Sequence, residues 1–234
     1  MKPIRTYLPL LVLVAGCASA PVPPPAPTPA DASFSWYKDA ARTQQVLRID
    51  AALSLITVTV RRGGTFARMG HDHVVASRSI EGFVAPDAGR ADFRFRLDQM
   101  TVDETDLRTK AGLATQPDLD AIAGTRTNML TRVLDAERFP LVELHAEHAA
   151  GKSDKDAKGD KVETVHLTVN LHGVSRTVDV PTTIERSADG ITASGTFTLK
   201  QTDFGITPMS VMGGALTVQD PMELAFCIVA APQR

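Results

Sequence analysis

The stretch Val162-Glu163-Thr164-Val165-His166-Leu167-Thr168-Val169-Asn170-Leu171-His172 alternates strictly. Val165, Leu167, Val169 and Leu171 fall on one side, and His166, Thr168, Asn170 and His172 on the other. A side-chain period of two is that of a strand with one buried face. Gly173-Val174-Ser175 turns the chain, and Val178, Val180, Thr182 and Ile184 line one face of the next run. Asp189-Gly190 is a hairpin signal. Beyond it Ile191, Ala193, Gly195, Phe197 and Leu199 oppose Thr192, Ser194, Thr196 and Thr198. Three alternating runs joined by short turns predict an antiparallel meander.

The same pattern extends toward the N-terminus. Leu141 to His148 reads as a strand, and so does Arg90 to Leu97, with Phe93, Phe95 and Leu97 on one side against Asp92, Arg94 and Arg96. Val46 to Val60 opens the folded part, with Ser54, Ile56, Val58 and Val60 on one face. Arg61-Arg62-Gly63-Gly64 reads as a turn, Val74 to Val84 as a second strand, and Pro86-Asp87-Ala88-Gly89 as another turn. Lys152 to Lys161 reads as a solvated hairpin tip, and Ala215 to Ala230 as the last strand, with a break possible at Asp220-Pro221. About eight strands result. A sheet of that size closes into a barrel that is either packed or holds one small ligand. An open sandwich would bury similar residues.

One segment breaks the alternation. From Asp118 the chain reads as a helical insert over about residues 118–137. Asp118 can cap a first turn that Gly124 ends, and Thr125 can cap a second helix, with Met129 facing with Val133 and Leu130 with Leu134. Phe139-Pro140 stops it. The insert is expected to plug or close the strands.

Composition narrows the function. The chain has 234 residues, a net charge of −2 and a pI near 6.3, which gives no electrostatic reason to bind nucleic acid. One Trp and two Tyr make no stacking platform for bases. A hydrophobic share of 43% supplies a sizeable core. No nucleophile elbow, phosphate loop, zinc hydrolase motif or paired-carboxylate signature is present, so the reading is a binding protein and not an enzyme.

The N-terminus reads as an export signal over residues 1–16. Lys2 and Arg5 precede an apolar run from Tyr7 to Ala15 that is too short to span a bilayer. Val14-Ala15-Gly16-Cys17 resembles the bacterial lipobox, which implies acylation of Cys17; cleavage after Ala18 or Ala20 is the alternative. Ala18 and Ser19 stand where an aspartate would signal inner-membrane retention, so the expected place is the periplasm, anchored to the outer membrane. Residues 17–45 read as linker and lead-in. Six prolines between Pro21 and Pro29 make an extended spacer, reaching ~45 Å at ~3.1 Å per residue.

Several pieces of the domain at 46–230 then line up in order. Ile49-Asp50 leads into Ser54, Ile56 and Val58. Arg138-Phe139-Pro140-Leu141-Val142 follows the insert. Leu167-Thr168-Val169 runs into Leu171-His172-Gly173-Val174-Ser175-Arg176, and Thr202-Asp203-Phe204-Gly205-Ile206 sits in the last loop. Together these resemble the YceI-like family of polyisoprenoid-binding type proteins. The resemblance implies an all-β fold, an eight-stranded antiparallel lipocalin-like barrel with an apolar interior for a long chain. The inward set it implies is Ile56, Val58, Phe93, Phe95, Val165, Leu167, Val169, Ile191 and Phe197. The ligand implied is isoprenoid- or quinone-like, with no cofactor required. Gly70-His71-Asp72-His73 resembles only a subset of the family.

Three site readings stay open. An apolar interior is needed simply to fold, so a filled barrel serving as a protein-interaction module is one. His71 and His73 share a strand face and could approach one metal or a haem in a redox or stress protein, with Asp72, His145 or His148 as further ligands. Arg126, on the insert, could meet a ligand head group such as a phosphate at the barrel mouth. Otherwise His145, His148 and His166 read as surface positions, His172 as structural, Asp203 as a turn former and Cys227 as a buried free thiol.

Overall fold

The computed structural model describes residues 34–113, 115–155 and 161–232. The export signal, Cys17, the proline-rich segment to residue 33 and the charged tip at 156–160 lie outside the described residues.

The strands in chain order are β1 (Leu47–Ile49), β2 (Leu55–Gly63), β3 (His73–Ser77), β4 (Glu81–Ala85), β5 (Arg90–Arg96), β6 (Thr101–Val102), β7 (Leu141–Lys155), β8 (Lys161–Leu171), β9 (Val174–Ser187), β10 (Gly190–Lys200), β11 (Ser210–Val211) and β12 (Leu216–Pro232). They form a closed antiparallel barrel of eight positions. β1 and β2 share one position, since both pair with β12: Ile49 lies opposite Ala230 and Ile56 opposite Phe226. β3 and β4 share the next, β3 pairing with β2 and β4 with β1. β5 and β6 share a third, pairing with β4 and β3. β7 to β10 and β12 complete the meander, and β11 is a short strip along β12. Pairing of the first position with the last strand closes the ring and rules out the open sandwich.

The interruptions have local causes. The carboxylate of Asp50 accepts the Ala52 N–H at 2.9 Å, which turns the chain after β1. The hydroxyl of buried Ser54 then accepts the Val229 N–H at 3.0 Å, standing in for a missing ladder partner. The expected single strand from Val46 to Val60 is therefore two pieces in one line. Val74 to Val84 is likewise split between β3 and β4, with Ile80 buried at the step. Arg61 to Gly63 belongs to β2 rather than to a turn, and the bend begins at Gly64, whose φ is 88°. β7 runs on to Lys155, so the ladder enters the charged stretch expected to be loop, with Ser153 opposite Glu163. Asp220-Pro221 shifts the register between Val218 and Met222 without ending β12, since a proline removes one donor and a bulge absorbs that.

His172 and Gly173 turn β8 into β9 with φ of 54° and 75°, as a two-residue primed turn requires. The His172 ring packs on Phe139, their centroids 4.6 Å apart. A Cβ on Gly173 would come within 2.8 Å of the same ring. The turn thus locks onto the residue that ends the insert.

The lead-in contributes a short helix, α1 (Ser35–Ala40), packed on the outside of the barrel. Tyr37 is buried there, stacked on Phe83, and its hydroxyl donates to Asp92 at 2.7 Å.

The insert departs from expectation inside. α2 (Thr105–Lys110) precedes it, and α3 (Leu119–Asn128) starts where Asp118 accepts the Ala121 N–H at 2.8 Å. Gly124 does not end a helix and Thr125 does not cap one, because α3 runs through both. A glycine inside a helix costs about 1 kcal/mol relative to alanine. Tertiary contact outweighs that, since Ile122, Met129, Leu130, Val133 and Leu134 all pack against the core. Met129–Val133 continues as a π turn, with the Leu134 N–H donating to Met129 at 2.9 Å. The insert lies where the wall is open. β5 pairs with β7 only from Arg90 to Arg96, and β6 beyond it pairs with β3 alone, leaving an edge that α3 contacts.

Candidate functional site

The barrel encloses a cavity of about 670 Å³, within the range that holds a drug-sized ligand. The period of two delivers its walls: β8 presents Val165, Leu167, Val169 and Leu171, and β12 presents Met222, Leu224, Phe226, Ile228 and Ala230. Ile56, Val58, Phe93, Phe95, Val165, Leu167, Val169, Ile191 and Phe197 all line it. Met129, Val133 and Leu134 of the insert close one end.

Polar groups sit at both ends. At the insert end His73, Thr125 and Asn128 reach the cavity. Behind His73 is a buried pair, Asp103 and Arg108, whose side chains are 0% and 2% exposed. Asp103 Oδ2 lies 2.6 Å from His73 Nδ1, and its Oδ1 accepts from Arg108 at 2.5 Å and from the Val74 N–H at 3.1 Å. Burial pushes the Asp103 carboxyl pKa up, but hydrogen bonds from His73 and Val74, with the attraction of His73 and the Arg108 bond, outweigh it and hold the group below its ordinary value. Arg108 also donates to the carbonyls of Asp72 and Thr115. The network is a tether: it fixes the His73 ring at the cavity wall.

At the opposite end, Arg90, His148 and Arg186 line the cavity. Glu163, 4% exposed, gathers two of them with Lys161: Arg186 donates to both its oxygens at 3.1 and 3.3 Å, Lys161 lies at 3.1 Å and His148 Nε2 at 2.7 Å, while Arg90 donates to Asp92 at 2.8 Å. The Arg186 hydrogen bonds, opposed by burial and aided by Lys161, hold the Glu163 carboxyl down to about 2. A folded pKa depressed from 4.5 gives stability that is present above that value and lost as pH falls from about 4.5 toward 2. At ~1.4 kcal/mol per unit the ceiling is about 3 kcal/mol, and solvent around the half-exposed Arg186 and Lys161 reduces it to about 1–2. Glu163→Gln is therefore expected to flatten the acid limb of stability against pH. Urea midpoints of both proteins at pH 3 and pH 7 measure this, and an equal acid loss in the two would contradict it.

His148 lines the cavity rim and, with its side chain 36% exposed, also meets the surface expected from the sequence. His145 is on the outside, its Nδ1 2.6 Å from Asp92 Oδ1. His166 pairs outside with Asp179 at 2.6 Å. The proposed metal set does not assemble. The His71 and His73 rings are 6.1 Å apart, His73 Nδ1 is engaged by Asp103, Asp72 accepts the Arg62 N–H, and His145 and His148 are bound elsewhere. Among the described residues no three His, Cys, Asp or Glu side chains are grouped to hold a metal. Arg126 does not line the cavity. It donates to the backbone carbonyls of Asp98 and Met100, which staples the insert to the wall. Asp220, rather than Asp203, caps the last loop, accepting from the Thr202 N–H at 2.9 Å and hydroxyl at 2.7 Å. Cys227 is half-buried on the outward register of β12, between cavity-lining Phe226 and Ile228.

A closed antiparallel barrel around an apolar cavity, with a helical insert over one end, has the form of a calyx. The chain matches the YceI-like domain over residues 47–230 and belongs to that family. It is similar in fold to a polyisoprenoid binding domain from Saccharophagus degradans implicated in plant cell wall breakdown, at 12% identity and a TM-score of 0.54, over 80% of this chain and 98% of that one. It is also similar to BcnA of Burkholderia cenocepacia, at 15% identity and a TM-score of 0.51, over 78% and 99% of the two chains. A search of curated proteins gave no significant match.

Proposed function

We propose that this protein is a lipid-anchored periplasmic carrier that holds an extended hydrophobic molecule, isoprenoid- or quinone-like, without transforming it. The observation that carries the reading is the hollow interior: inward faces that could have met leave about 670 Å³ between them. Each buried CH₂ of a chain placed there contributes ~0.8 kcal/mol. The S. degradans relative, a polyisoprenoid binding domain of the same fold, supports the ligand class. Lys2, Arg5 and the Val14-Ala15-Gly16-Cys17 run support export and acylation, and the lack of an aspartate after Cys17 supports the outer membrane.

The test is native mass spectrometry of the exported protein, followed by organic extraction. A co-purifying mass that extracts as a long-chain lipid is expected. In the same cells, Cys17→Ser is expected to move the protein from the membrane pellet to the soluble fraction. A bare protein mass at low collision energy, repeated after supplying prenyl lipids, would defeat the carrier reading; a variant still in the pellet would defeat the anchor.

A further inference from the structure

We propose, building on the carrier reading, that the insert end of the cavity receives a neutral hydroxyl head group, which donates its proton to Nε2 of His73. The Asp103 carboxylate, held ionised, can only accept, and it lies 2.6 Å from His73 Nδ1. Nδ1 therefore carries the hydrogen, and in the neutral imidazole Nε2 keeps the lone pair. His73 lines the cavity, and its side chain is 14% exposed. Among the described residues, the hydrogen-bond partner of Nε2 is the Thr125 hydroxyl at 3.5 Å, the outer limit of such a bond. A desolvated acceptor with so weak a partner favours a ligand that brings a donor.

The charges here select against an anion. Asp103⁻ and Arg108⁺ cancel as a buried pair, and Arg108 is turned to Asp103 and to the carbonyls of Asp72 and Thr115. Arg126, the insert cation nearest in sequence to Thr125, is held by the Asp98 and Met100 carbonyls. A phosphate at His73 would meet the Asp103 carboxylate behind the ring, and among the described residues no Lys or Arg lines this end of the cavity. Asn128, on the same end of the insert, adds an amide suited to a neutral oxygen. The site therefore reads an alcohol or phenol, with its apolar tail running down the barrel toward Phe93 and Ile191.

The experiment titrates three probes of one chain length into the full chain carrying Cys17→Ser: geranylgeraniol, its O-methyl ether and its diphosphate. The alcohol is expected to bind about tenfold more tightly than the ether, the scale of one buried hydrogen bond, and more tightly than the diphosphate. His73→Leu is expected to bring the alcohol-to-ether ratio to about one. The ratio in the protein with His73 intact stands whether or not that variant folds. Equal binding of alcohol and ether would overturn the head-group assignment and leave the carrier standing. So would preferred binding of the diphosphate, or a tenfold preference retained in a folded His73→Leu protein. No binding of any probe would overturn the carrier reading and this inference together.

Discussion

Asp103→Ala is expected to destabilise the domain by about 3–5 kcal/mol, a large share of the stability of a single domain. The reason is asymmetric. A buried ion pair contributes little net stability against an apolar replacement, but removing one partner leaves the other charge uncompensated. Here the side chain left behind is Arg108, 2% exposed, with Nε already lacking a partner among the described residues. The Val74 N–H and His73 Nδ1 lose their acceptor in the same step. Urea unfolding measures the loss directly. The double substitution Asp103→Ala with Arg108→Met is expected to cost clearly less than the two single changes added, because neither charge is then orphaned. A loss under 1 kcal/mol for the single change, or strict additivity, would show that water reaches the pair.

Ala146→Phe is expected to reduce affinity for a C20 prenyl alcohol by about 200-fold without lowering stability. Ala146 lies on the inward face of β7, opposite Ala91 and Leu167, and lines the cavity. A ring there displaces about four CH₂ groups of the guest, at ~0.8 kcal/mol each, or about 3 kcal/mol in all. In an empty cavity the same ring finds apolar surface to cover, so the melting temperature of the unliganded protein is expected to hold or rise. A filled barrel predicts the reverse: added volume in a packed core costs about 1–3 kcal/mol. One substitution therefore separates a hollow interior from a solid one, by calorimetry and ligand titration. A fall in melting temperature with no change in binding would establish the filled barrel.

The inward residues were legible because strand pattern and burial agree. Val165, Leu167 and Val169 follow from a period of two alone, and the structure sets them on the cavity wall. The closed barrel was legible only as far as strand number and turn length reach; the pairing of β1 and β2 with β12 is a long-range fact with no local signature. Asp103 and Arg108 were missed because Asp103 sits between β6 and α2 with a φ of 58°, and α2, six residues long, is too short for periodicity to show which face is buried. Glu163 left a usable signal: it shares the register of Val165 and Leu167, and a carboxylate on an apolar face needs partners. Arg126 was misread because the sequence shows a cation on a helix but not the two carbonyls that the gap beside β6 places in front of it. The helix break at Gly124 failed since propensity, worth about 1 kcal/mol, yields to burial of the turns that follow.

The join between the first and last strands also governs how the molecule comes to exist. Ser54 and Val229, which bond across it, are 175 residues apart. Loop-closure entropy grows only logarithmically, by about 0.6 kcal/mol per doubling, so the separation takes little from equilibrium stability. It acts on rate: contacts between distant residues form late, and β-rich chains dominated by them are slow folders. Until β12 arrives, β2 and β10 each carry a bare edge, the template on which foreign strands pair. The nascent chain thus exposes two adhesive edges, which the finished ring pairs with β12, while the insert lies across the edge of β6.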